Sequence, residues 1–160
     1  MMKIYRMHDV PIVLDLDTLN RINLSGMNFH RCVFNDIDII GTDLSNSDFR
    51  SAEMMNSVFN DSIFSNAKLI MVKASESFFE SCVFDEALIL HSDFRKSSFR
   101  CADFRKGIIN DVDFSQCDLR GANLSCEGLE TCSFDNAIYD EFTIWKDNFD
   151  VSKFGARKIE

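Results

Sequence analysis

The 160-residue sequence has one proline, one tryptophan, two tyrosines and three histidines, and no apolar run near the roughly 20 residues that span a bilayer. Its first stretch, MMKIYRMHDVPIVLDLDT, lacks both an apolar segment of signal-peptide length and a small-residue cleavage site. The expectation is a cytoplasmic protein with no membrane association. Basic residues are outnumbered: Lys plus Arg is 17 against 26 Asp plus Glu, a net charge of −9. That balance argues against direct nucleic-acid binding and against an anionic membrane surface. No CxxC pair occurs among Cys32, Cys82, Cys101, Cys117, Cys126 and Cys132, and His8, His30 and His91 are scattered. Reduced thiols used as small apolar residues are expected, with no metal site. There is no Gly-rich phosphate loop and no His beside a Ser or Cys as base to nucleophile. Catalytic, cofactor-binding and metal residues are therefore expected to be absent, and the protein is not expected to be an enzyme.

What the chain does have is 46% apolar and 27% charged residues, enough to exclude a disordered tail, in a length suited to one domain. It also has 16 phenylalanines. Taking every fifth residue from Leu19 to Tyr139 gives 25 positions, all apolar and only Ala74 small, without an insertion or deletion. Twelve of the 16 Phe fall in this class, which reads as one stacked inward column. Two residues earlier, Ser, Ala, Cys, Thr or Gly fills 18 of 24 places between Ile22 and Ala137. The exceptions are Ile22, Met27, Ile37, Val72, Val112 and Glu127. Cys32, Cys82, Cys117 and Cys132 belong to this small class, and Asp or Asn recurs between the two classes, as at Asp48, Asp103 and Asn123. Gly26, Gly41 and Gly121 fall where corners are expected, and Gly107 where packing is tight.

A period of five fits neither a helix at 3.6 nor a flat strand at 2. It does fit a short extended stretch and a bend per unit, always turning the same way, so that the chain coils and stacks on itself at about 4.8 Å. Two inward positions per unit, one large and one small, would fill the axis, and backbone groups would pair between successive coils.

With units such as Ala122-Asn123-Leu124-Ser125-Cys126, Ala102-Asp103-Phe104-Arg105-Lys106 and Ser47-Asp48-Phe49-Arg50-Ser51, the sequence resembles the pentapeptide-repeat family. The resemblance implies an all-β fold, a right-handed quadrilateral β-helix with 20 residues per coil. It would have about six coils and short terminal caps. The expected division is an N-terminal cap over 1–16, the repeat β-helix over 17–141 and a C-terminal cap or tail over 142–160. Phe142, Trp145, Phe149 and Phe154 are expected to plug one end, in a segment similar to the Thr-x-Trp-Pro-x-x-Phe-Asp ending of many members, with Lys146 at the Pro position. Ile4, Tyr5, Val10, Ile12 and Leu14 are expected to cover the other end.

A packed axis and an uninterrupted repeat leave no obvious pocket, and His30 and His91 would lie roughly 14 Å apart. The outside is more informative. Sorting residues by side gathers Ile70, Met71, Leu88, Leu90 and Ile108 from three successive coils, in slots otherwise polar. This is the candidate interface, for a protein partner or a second copy. Phe78 with Val58 is a weaker second patch. Arg95, Lys96, Arg100, Arg105 and Lys106 read as a salt-bridged belt among acidic neighbours. The expected function is a non-enzymatic, rigid protein–protein interaction module. The alternative, implied by the quinolone-resistance branch of the family, is a DNA mimic that binds DNA gyrase or topoisomerase.

Overall fold

Each five-residue unit turns one corner, and the hydrogen bonds explain why. The amide of Ser62 donates to the Phe59 carbonyl at 3.1 Å, and Ala67 repeats this with Phe64 at 3.0 Å. The enclosed third residue of each turn has positive φ, +61° at Asp61 and +58° at Asn66, as a type II turn requires. Gly fills this corner at Gly26, Gly41 and Gly121, whereas most corners hold residues with side chains, such as Glu86, Lys106 and Gln116. A left-handed conformation costs about 1–2 kcal/mol for such residues. The corner amides are nonetheless paired to the next coil, as in Asp61 N–H to Glu80 O at 2.9 Å.

The computed structural model describes residues 2–7, 9–14 and 17–160; His8 lies outside them. In chain order the strands are β1 (Met2–Arg6), β2 (Asp9–Leu14), β3 (Cys32–Val33), β4 (Lys68–Ile70), β5 (Leu88–Leu90) and β6 (Ile108–Asn110). They continue with β7 (Asn123–Leu124), β8 (Ile138–Tyr139), β9 (Ile144–Trp145) and β10 (Arg157–Lys158), with 3-10 turns at Leu129–Thr131 and Val151–Phe154. Between the strands, parallel bridges join residues 20 apart, such as Asp43 to Ile63 and Ile63 to Val83. Four units therefore complete one coil, and each unit lies on its own side of a quadrilateral.

That geometry corrects one expectation. The twelve inward Phe do not form a single column but are shared among four ladders, one per side. Phe64, Phe84 and Phe104 stack at 4.9 and 4.7 Å between centroids, with interplanar angles of 10° and 4°. Phe59, Phe79 and Phe99 stack at 5.1 Å per step. Phe94, Phe114 and Phe134 form a third ladder, at 6.0 and 5.5 Å, with Phe34 in the same column beyond Met54 and Ala74, and Phe29 and Phe49 a fourth pair at 5.0 Å. Edge-on contacts such as Phe79–Phe94, 5.6 Å at 84°, tie the ladders together across the axis.

The small inward class is selected for hydrogen bonding as well as for size. Ser62 Oγ donates to the Ile39 carbonyl at 2.8 Å and accepts from the Thr42 amide at 3.0 Å. Ser77 and Ser97 repeat the pattern with Met54 O and Ala74 O, at 2.6 and 2.7 Å. A hydroxyl thus inserts between the amide and the carbonyl that otherwise close the turn in the coil before it. Where the next coil carries Ala or Cys instead, the turn closes directly, as at Ala67 and Ser62.

Ahead of the C-terminal segment, the repeat slips once. Ile108 pairs with Glu127, 19 residues on, before Asp113 and Ser133 restore the interval of 20. Glu127 falls in the small inward class, where its carboxylate would be buried without a partner. The chain shifts by one residue instead. Cys126 enters the core at 2% exposure, and Glu127 turns out to pair with Lys146. Gly128, at φ +90°, and the following 3-10 turn recover the lost residue.

At the first end, β1 pairs antiparallel with both β2 and β3. Ile4 is buried and Ile12 packs against the core. Strand alternation places Tyr5 on the other face, 62% exposed, so it is not part of the cover. The side chains of Val10 and Leu14 lie outside the described residues. At the opposite end Trp145, Phe149 and Phe154 gather beneath Phe134 at 5.7, 5.9 and 6.5 Å, with Val151 buried beside them. Phe142 is 69% exposed and does not join them, because its unit continues the outer wall: β9 pairs with β7 as the coil goes on.

Candidate functional site

Strands β4, β5 and β6 form a three-stranded parallel sheet on one side of the rod, the longest regular pairing between coils. The central residues Leu69, Ile89 and Ile109 point inward and are buried. By strand alternation the flanking residues point out, and four of these six are apolar. Lys68, Leu88 and Ile108 are in register, as are Ile70, Leu90 and Asn110. All five residues of the sequence-derived patch therefore lie together on one face. Ile108 is 47% exposed and Met71, at the neighbouring corner, 61%, while Ile70, Leu88 and Leu90 are half-buried by their neighbours. His91 borders the patch with Nδ1 3.3 Å from Asp111 Oδ2.

Val58 and Phe78 bridge each other on a different side, and Phe78 is 47% exposed, but Asp38 and Ser98 bound the pair in that column. A further pair was not singled out from the sequence. Ile63 bridges Val83 with Ile63 40% exposed, and the five-residue period alone carries that signal.

The basic belt is almost fully paired. Arg95 meets Asp93 at 2.7 Å and Asp113 at 3.7 Å, Lys96 meets Glu76 at 3.0 Å and Lys106 meets Glu86 at 3.2 Å. Arg100 alone of the five has no carboxylate within 4.0 Å among the described residues. A local motif underlies much of this pairing. In Asp48-Phe49-Arg50, Asp93-Phe94-Arg95, Asp103-Phe104-Arg105 and Asp118-Leu119-Arg120, the guanidinium folds back onto the carboxylate two residues earlier. The Arg50 hydrogen bond holds the Asp48 carboxyl below its ordinary range, and Arg95 does the same for Asp93. The same carboxylates accept the amide of the arginine, fixing the corner.

The repeat described by these coils matches a family model for pentapeptide repeats in eight copies, over residues 18–46, 38–70 and 97–126. The chain belongs to the pentapeptide-repeat family. Its fold is the right-handed quadrilateral β-helix of that family. Among solved structures it is similar to alr5209, a pentapeptide repeat protein from Nostoc PCC 7120. The two are 18% identical, the match covers 88% of this chain and 86% of that one, and the TM-score is 0.45. It is also similar to HetL, a pentapeptide repeat protein involved in heterocyst differentiation regulation in the cyanobacterium Nostoc sp. strain PCC 7120. That match is 19% identical over 79% of this chain and 57% of the other, with a TM-score of 0.39. A trypsin-treated form of QnrB1, a plasmid-mediated fluoroquinolone resistance protein, is 16% identical over 88% of this chain and 91% of the other, at 0.45. No curated protein matches the sequence.

An external groove of about 690 Å³ runs beside the C-terminal strand of this pentapeptide-repeat rod. Arg100, Arg120, Asp140, Phe142 and Lys158 line it with the exposed thiol of Cys101, where the uninterrupted repeat gave no reason to expect a hollow. Among the described residues no group of three or more His, Cys, Asp and Glu side chains could hold a metal ion. No helix among them is long and apolar enough to cross a membrane.

The other five thiols are buried, and burial raises Cys32, Cys82, Cys117 and Cys132 and pushes Cys126 up to about 12. Folded-state values above the ordinary 9.0 give stability that is present below pH 9.0 and lost as pH rises beyond it, because only the unfolded chain then releases those protons. Each such thiol contributes a slope of up to about 1.4 kcal/mol per pH unit. The urea midpoint should fall on going from about pH 8 to about pH 10.5, and less steeply in Cys82→Ala. Equal slopes in the two proteins would contradict the assignment. In the folded protein at neutral pH, iodoacetamide should label Cys101 first.

Proposed function

We propose that the protein is a non-catalytic, rigid interaction module of the cytoplasm, and that its contact surface is the face of β4, β5 and β6. The observation that carries this reading is the run of Ile70, Met71, Leu88, Leu90 and Ile108 on one face. Comparable outward slots elsewhere hold Asp43, Asp48, Arg50, Ser45 or Asp103. An exposed apolar cluster with paired charges around it is what a protein partner covers favourably, at about 25 cal/mol per Å² of apolar surface removed from water. The rod supplies rigidity, since each coil is bonded to the next on every side.

A photo-crosslinking residue at position 108 tests this in the native cell, with position 116 on another side as control. Protein adducts concentrated at position 108 are expected; equal yields at the two sites would overturn the reading. The net charge of −9 favours a second reading, mimicry of duplex DNA toward gyrase or topoisomerase. Duplex DNA carries one charge per about 1.7 Å, whereas many carboxylates here are engaged by arginine or lysine. Inhibition or protection in a gyrase supercoiling assay would establish that reading; no effect at micromolar excess would remove it.

A further inference from the structure

Taking the β4–β5–β6 face as the contact surface, we infer that its occupant is a second copy of this chain, packed antiparallel. Along this side the coils form a graded sequence. Below the apolar rows lie Arg31, Arg50 and Lys68, with Asp48 as the one carboxylate among them. Above them lie Asp111, Glu127 and Glu130, with Lys146 as the one ammonium. Arg31, Arg50, Lys68, Asp111, Glu127 and Glu130 are all exposed. The apolar centre is thus flanked by positive charge at one end and negative charge at the other.

A two-fold axis across the rod at the level of β5 makes this face its own complement. It sets Leu88 and Leu90 against the same residues of the second copy and brings the row of Lys68, Ile70 and Met71 opposite the row of Ile108, Asn110 and Asp111. It also brings the row of Arg50 opposite the row of Glu130, at both ends. A parallel pair would instead face Arg50 with Arg50 and Glu130 with Glu130, which like-charge repulsion disfavours. Such a self-complementary patch is the requirement of an isologous dimer.

The contact is small. The five rows centred on β5, from that of Arg50 to that of Glu130, extend about 19 Å at the strand spacing. With a width of one side of the coil this gives a total buried area of roughly 650–800 Å², in the range of weak, transient association. The dimer is therefore a reversible one, with a Kd on the order of micromolar.

Sedimentation velocity of the full chain between about 1 and 500 μM, with circular dichroism and melting to confirm folding, tests this. Wild type is expected to shift from monomer to dimer over that range. Ile108→Lys is expected to remain monomeric. Arg50→Glu and Glu130→Arg are each expected to weaken association about 10-fold, and the double charge swap to restore most of it. Ile108→Ser provides a milder variant if the lysine perturbs folding, and it should weaken the dimer without a change in melting. A wild-type protein that stays monomeric at 500 μM overturns the second-copy assignment. So does a dimer unaffected by Ile108→Ser, while a charge swap that fails to restore association overturns the antiparallel arrangement. If crosslinks at position 108 still reach a different protein, the contact surface stands and only the identity of its occupant falls.

Discussion

Phe84→Ala is expected to lower the unfolding free energy by about 3–5 kcal/mol, one of the largest losses a single side chain can produce here. Phe84 is fully buried, stacked on Phe64 below and Phe104 above, and also borders Phe79 and Phe99 at 6.0 and 6.1 Å. Truncation removes the ring's transfer free energy and leaves a hole that neighbouring coils cannot close, because they are pinned on four sides by backbone bonds. Phe84→Leu should cost far less, about 1–1.5 kcal/mol, since Leu44 and Leu124 occupy the same ladder at its ends. Urea unfolding measures both. A loss below about 1 kcal/mol for the alanine variant would mean that the rings pack loosely and that the ladders are not the source of stability. Phe149→Ala should be milder than Phe84→Ala, as Phe149 is only partly buried at the end of the stack.

Much of this core was legible because the five-residue period assigns inside and outside without ambiguity. Every position of the large class from Leu19 to Phe134 is buried, and Gly26, Gly41 and Gly121 do sit at positive-φ corners. The patch on β4, β5 and β6 was legible for the same reason: a coil of 20 residues places Ile70, Leu90, Leu88 and Ile108 in neighbouring rows. What the period could not supply was anything that depends on bonds between coils. The serines of the small class looked like space-fillers, yet Ser77 and Ser97 carry two hydrogen bonds each with backbone of the preceding coil. The Asp-x-Arg forks need only the local sequence and were open to discovery from it, since a corner holds the two side chains on the same outward face. Tyr5 and Phe142 were misplaced because an aromatic near a chain end reads as a plug wherever it points. Alternation in β1 and the continuing outer wall before β9 decide otherwise.

Gly128→Ala is the second substitution with a large expected effect, and it tests the slip in the repeat. An alanine Cβ at this position would overlap Asn110 Oδ1 and the Ile109 carbonyl oxygen, with Asn110 Cγ at 2.8 Å. The Ile109 carbonyl belongs to β6, whose pairing with β5 limits how far it can retreat. Added to a φ of +90°, unfavourable for any residue with a side chain, the clash should cost about 2–5 kcal/mol. Gly26→Ala provides the contrast: its corner is also left-handed, at +71°, but nothing lies within 4 Å of the added carbon. That change should cost about 1 kcal/mol, the scale of left-handed strain that Asp61 and Lys106 already tolerate. Because a coil contacts only its neighbours, the Gly128 variant should lose hydrogen-exchange protection first in residues 127–158, with β4 and β5 retaining theirs. The slip itself follows from Glu127, so Glu127→Ser should relieve the need for it by offering a small hydroxyl to the inward slot. In that background the 20-residue register becomes accessible, Cys126 can return to the corner, and its thiol should become reactive to iodoacetamide. Cys126 remaining as protected in Glu127→Ser as in the wild type would show that Gly128 and the 3-10 turn hold the slip without help from the buried-charge penalty.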